Sequence, residues 1–137
     1  MRAGVGADAM SLTGKWRIIH NVHRSQRKDY EGLKLEFHVS LAELGGALIG
    51  SGIKVGVNER PVPEDEISLL QIGSRDCGSD TIELSLFERR RSGRGASIVG
   101  EIVWERVTPD HMLGHFRVDV GNSEGRSEAF RIDDADS

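Results

Sequence analysis

The chain has little of what usually staples a small protein. It holds one cysteine, Cys77, in 137 residues. A lone thiol forms no internal disulfide, so the fold does not depend on an oxidising compartment. Prolines number three, and two of them, Pro61 and Pro63, share the acidic stretch "NERPVPEDE", which cannot be a central strand. Aromatic residues make up only 5%. No stretch approaches the roughly 18 apolar residues of a membrane span, and "MRAGVGADAM" lacks a run of signal-peptide length. A basic surplus is missing as well: 18 Lys and Arg stand against 22 Asp and Glu, a formal charge of −4. Phosphate backbones are gripped by clustered excess cations. The expectation is therefore a cytoplasmic protein with neither nucleic acid nor membrane as partner.

What the chain does have is glycine, 17 residues of it, spaced between short apolar alternations in the manner of tightly turned β proteins. Long stretches of helical period are lacking. Eight strands are read, at about 15–22, 33–41, 47–57, 67–74, 81–89, 97–107, 111–120 and 126–133. The second is the clearest: Leu33, Leu35, Phe37, Val39 and Leu41 alternate with Lys34, Glu36, His38 and Ser40, the period of a half-buried strand. "PEDEISLLQI" also fits a short helix opening at Pro63. The domain is assigned to 11–133, with a disordered segment at 1–10 and a frayed acidic tail at 134–137. A meander of eight short strands leaves bare edges unless it closes on itself. Closure predicts an all-β, eight-stranded antiparallel up-and-down barrel, whose interior holds side chains or one small ligand.

The first strand opens with "GKW", Gly14 to Trp16. A glycine there lets backbone pack closely, and a large flat ring two residues on plugs one end of a barrel. In this the chain resembles the lipocalin/avidin group of small barrels, the calycins, whose first strand carries a G-x-W element. "LTGKW" resembles the avidin-type opening, and "GGALIGSGIKV" (45–55) its glycine-flanked third strand. The resemblance implies structural roles for Gly14, Trp16 and Arg131, the last-strand guanidinium lying against the indole. It does not imply biotin binding. The asparagine that follows the tryptophan by two in avidin-type strands is Ile18 here, and the third-strand tyrosine and serine correspond to Gly52 and Lys54. The third strand also poses a conflict of facing. The resemblance turns Gly50, Gly52 and Lys54 inward, whereas hydrophobicity turns Ile49, Ser51, Ile53, Val55 and Val57 inward, and one register cannot satisfy both. Hydrophobicity is preferred for the core.

Candidate chemistry is sparse. His111 and His115, four apart on a strand, lie about 13 Å from each other, too far to share a metal; His20 and His23 have opposite parity. No metal and no cofactor is expected, and a haem ligand such as His115 is not adopted. Neither "GSG" (50–52) nor Cys77, read as a surface thiol, forms a nucleophile motif. Glu101 and Glu105 should face solvent. Glu88 continues the inward face of Ile82, Leu84 and Leu86 and is the one weak catalytic candidate, an acid at a barrel mouth. "ERRRSGRG" (88–95) and "HRSQRK" (23–28) are basic turns that a meander places at the same end. There Arg89 and Arg91 become candidates for gripping an anionic group.

The function read from these features is non-enzymatic binding of a small, largely apolar ligand, anionic at one end. Its lining would be Trp16, Ile18, Leu35, Phe37, Leu84, Trp104, Phe116 and Phe130. Two alternatives stay open: a small-barrel enzyme of isomerase or cyclase type, and a packed barrel acting as an interaction module, with a homo-oligomer left open.

Overall fold

A computed structural model describes residues 11–76 and 80–132. The readings made for 1–10, for Cys77 and for 134–137 lie outside the described residues. The strands are β1 Gly14–Arg24, β2 Lys34–Leu44, β3 Ala47–Val57, β4 Arg60–Pro61, β5 Ser68–Ser74, β6 Thr81–Arg90, β7 Ile98–Thr108, β8 His111–Val118 and β9 Ser123–Arg131. Short 3-10 turns occupy Lys28–Tyr30, Glu64–Glu66 and Val120–Asn122.

Each long strand pairs antiparallel with its chain neighbour, and β1 pairs with both β2 and β9. With β2 also joined to β3, the eight long strands close into a ring. The expected eight-stranded antiparallel barrel is the observed architecture, and closure leaves no bare edge between its first and last strands. β4 is an addition, two residues paired to β3. Pro61 fits there because an edge position asks no N–H of it. The last strand begins at Ser123, three residues earlier than the glycine-rich "GNSEG" suggests. The reversal is confined to Gly121 and Asn122, both at positive φ, so Gly125 is free to continue the strand.

Alternation builds the core. Trp16, Ile18 and Val22 of β1 point inward with Ile82, Leu84 and Leu86 of β6, and all are buried. The third strand faces the other way from its hydrophobic pattern. Leu48 is wholly buried, while Ile49 is 55% and Ile53 38% exposed. Gly50 and Gly52 take the inward positions because the flanking strands come too close for a side chain there. A Cβ at Gly50 would collide with Leu41 and Ile72, and one at Gly52 with the His38 carbonyl. An extra residue in β3 shifts the register opposite Glu36 and Phe37; beyond it Val57 faces inward, as does Lys54 before it. The displaced apolar side chains join Phe87 and Val99 on the outer wall.

One end of the barrel is occupied by two indoles. Trp16 and Trp104 are fully buried, and neither indole N–H is left bare. Trp16 Nε1 donates to the Leu12 carbonyl at 2.8 Å and Trp104 Nε1 to Ser127 Oγ at 2.8 Å. Arg131 caps this end from the last strand. Its guanidinium carbon lies 4.6 Å from the Trp16 ring centre. Its nitrogens donate to Asp110 Oδ1 at 2.7 Å and to the carbonyls of Ser11, Thr13 and Pro109. Gly14 passes directly beneath: a Cβ there would sit 3.0 Å from Arg131 Nη1.

Candidate functional site

The opposite end is open, and turns gather there as the meander requires. The β1–β2, β3–β5, β6–β7 and β8–β9 connections surround a broad mouth of about 1080 Å³. Below it, inside the barrel, lies a smaller chamber of about 180 Å³. The two adjoin: Tyr30, Lys54, Val57, Glu88, Ile98 and Val120 border both.

Three polar side chains enter the chamber from three strands. His20 follows Trp16 and Ile18 on the inward face of β1 and is 2% exposed. Its ring stacks on Phe116 at 4.0 Å and meets Phe37 edge-on at 5.4 Å. Glu88 ends the inward row of β6 and is 4% exposed. Lys54 reaches it from β3, placing Nζ 2.7 Å from Glu88 Oε2. The approach is off the direction a hydrogen bond needs, so the contact is coulombic and Oε2 remains a buried acceptor without a donor among the described residues. His20 Nε2 is likewise buried and without a partner. Burial, and after it the charge of Lys54, lowers the His20 pKa from 6.5 to about 3. The imidazole is therefore neutral at pH 7, able to donate one hydrogen bond and accept one.

The mouth above is rich in cations. Arg27 lies over the Tyr30 ring at 4.4 Å and pairs with Asp29 at 3.3 Å. Arg90 stands 3.9 Å from Glu66. Arg60, Arg89 and Arg94 also line the mouth, and none has an acidic partner among the described residues. Their charge is available to an anion.

The sequence-read lining divides. Leu35, Phe37 and Phe116 border the chamber. Trp16, Ile18, Leu84 and Trp104 are buried but belong to the filled end, where the two indoles occupy the space a ligand would need. Phe130 is corrected: it lies on the outer wall, stacked on His111 at 4.9 Å with Arg17 above it at 5.5 Å. The reason is parity, since Ser127, Ala129 and Arg131 hold the inward positions of β9. Arg89 lines the mouth from an exposed position, whereas Arg91 is exposed and does not border it. Glu88 sits inside the barrel at the mouth end, ion-paired. His111 pairs with Glu128 at 2.6 Å on the outer wall, and His115 lies in an outer groove beside Glu101 and Arg117.

Sequence reasoning missed His20 and Lys54. For His20 a signal existed: it shares the parity of Trp16, Ile18 and Val22. For Lys54 the resemblance had turned it inward with Gly50 and Gly52, and the glycine alternation before it marks the same face by what it leaves out.

No family model matches the chain, and no curated protein matches it. Two solved structures are similar in fold. One is the redesigned β-barrel mFAP1 bound to DFHBI, with 9% identity and a TM-score of 0.62 over 92% of this chain and 97% of that one. Another redesigned β-barrel has 10% identity and a TM-score of 0.64 over 93% and 95% of the two chains.

Proposed function

We propose that the protein binds a small molecule end-on through the open mouth, with an apolar body in the chamber and an anionic group among the mouth arginines. The observation that carries this is an apolar-walled chamber that adjoins a mouth whose Arg60, Arg89 and Arg94 lack acidic partners among the described residues. Ligand sites combine such apolar walls with a few polar anchors. That a redesigned barrel of similar fold binds a dye agrees with the reading without specifying it, because fold does not fix function. Kinship with the calycin group is part of the same proposal. The contact of Trp16 with Arg131 across β1 and β9 supports it.

The enzyme alternative draws on the presence of His20 and Glu88 in the chamber. A general base works best with a pKa near the operating pH, and His20 lies far below that. Glu88 is occupied by Lys54. Binding is the reading the geometry favours.

The test compares benzoate and phenyl phosphate with neutral benzyl alcohol by NMR titration at low and high salt. The anions are expected to bind more tightly, and added salt should erase the difference. Replacing Arg60, Arg89 and Arg94 together by glutamine should remove it too, each exposed substitution changing stability by no more than about 0.5 kcal/mol. Equal binding of anionic and neutral compounds would refute the anionic end, and failure of all three to bind would refute the binder.

A further inference from the structure

The size of the chamber and its unmet polar atoms specify the inner end of the ligand, an inference that rests on the binder reading. The chamber measures about 180 Å³. A cavity of roughly 150 Å³ in an engineered apolar core accepts benzene, so this one accepts a single six-membered ring with a small substituent. A fatty acid or a haem is too large to be enclosed. The wall favours a flat ring, since Phe116 and His20 stack face to face and Phe37 meets His20 by its edge. Aromatic faces and edges attract further rings in offset or T-shaped contacts.

The same wall penalises a purely apolar guest. Among the described residues Glu88 Oε2, ion-paired to Lys54, and His20 Nε2 are both buried and accept or donate no hydrogen bond. They approach from β6 and β1, which lie on opposite sides of the eight-strand ring. A guest without hydrogen-bonding groups would seal them off, or would displace water from them and offer nothing in return. An ion-paired carboxylate only accepts hydrogen bonds, so the group that Glu88 can take is a donor. We propose that the chamber is a subsite for a monocyclic aromatic ring bearing a hydroxyl or N–H that donates to Glu88 Oε2, with the ring packed against Phe37 and Phe116 and His20 as the second polar contact.

The experiment titrates the full chain with benzene, anisole and phenol, three rings of similar size of which only phenol is a donor. None carries an anion, so the mouth arginines play no part. Amide and aromatic NMR shifts of the chamber residues report binding. Phenol is expected to bind at least about tenfold more tightly than benzene or anisole, the ratio for one satisfied buried acceptor. Substituting Glu88→Leu alone would strand Lys54 and could unfold the chain. The paired change Lys54→Met with Glu88→Leu removes both charges, and should bring phenol to within about twofold of benzene. Glu88→Gln, which keeps the shape but offers a weaker acceptor, should narrow the ratio by itself.

Equal affinities of phenol and benzene in the natural protein would overturn the inference while leaving the binder reading intact. A phenol preference that survives removal of the carboxylate would overturn it as well, as would shifts confined to residues outside the chamber. If none of the three rings perturbs the chamber, the binder reading falls along with it.

Discussion

At one end of the barrel Trp16 and Trp104 are wholly buried, and each indole N–H has found an oxygen at 2.8 Å. At the other end His20 and Glu88 are buried almost as deeply, yet among the described residues each keeps a polar atom without a hydrogen bond, that of Glu88 facing the Lys54 ammonium. Depth of burial does not separate the two ends. Satisfaction does. A folded protein pairs nearly all its buried polar groups, and the few exceptions in a native structure call for an explanation. Among the described residues both such exceptions border one chamber. The filled end is built for stability, and the open end holds the polar atoms that the proposed binding would use.

The sharpest way to break this comparison is at the filled end, where the largest effect is expected. Trp104→Ala removes a fully buried ring and leaves Ser127 Oγ without the indole donor. The cost should be about 3–5 kcal/mol, read as a lower midpoint in urea denaturation. A loss under about 1 kcal/mol would mean that the end is loosely packed, and the contrast between the ends would fail.

The open end should respond in a different pattern. Lys54→Met deletes the only cation within ion-pairing distance of Glu88 among the described residues and strands a buried carboxylate. That change should cost about 3 kcal/mol, whereas the double change to Lys54→Met with Glu88→Leu should return to within about 1 kcal/mol of the natural chain, because breaking a buried pair is costlier than replacing it by apolar groups. Equilibrium denaturation of the single and double variants measures both. If the double variant is as unstable as the single one, the pair holds the fold together and is not a functional reserve.

The closed ring was legible because strands such as Leu33–Leu41 and Thr81–Arg89 alternate cleanly, and because Trp16 and Arg131 stand where the first and last strands must meet. The third strand was not legible by hydrophobicity, since Ile49 and Ile53 face out and glycines face in. Its inward positions were set by the bulk of Leu41 and Ile72, which flank Gly50 on the neighbouring strands β2 and β5, and which one strand's own pattern does not contain. The error at Phe130 is of another kind. With Arg131 inward against Trp16, period two forbids Phe130 from the interior, so the two assignments exclude each other on parity alone. Lys54 and Glu88 lie far apart in sequence, and either alone reads as a solvated strand end; only the register of β3, β5 and β6 joins them. His20 has the inward parity, but a histidine near another histidine draws the question of metal first, and its value lies instead in being neutral and unpaired.

That neutrality makes the smallest of the three effects the most specific to the open end. Burial and the neighbouring Lys54 charge hold the His20 pKa at about 3 in the folded state, against 6.5 for the exposed group. Between those values the unfolded chain binds a proton that the native chain does not, so stability is complete above pH 6.5 and declines as pH falls toward 3. The slope approaches about 1.4 kcal/mol per pH unit, or about 2 kcal/mol lost by pH 5. His20→Phe keeps a flat ring against Phe116 and removes the proton site. The difference between the two stability–pH curves isolates the contribution of His20. The natural chain should fall below the variant by about that amount between pH 7 and pH 5, measured by denaturation at each pH. Parallel curves would show that water reaches the imidazole and carries its charge. The chamber would then be a wet rim, and the partnerless atoms at the open end would be solvated groups with nothing to offer a ligand that water does not already take.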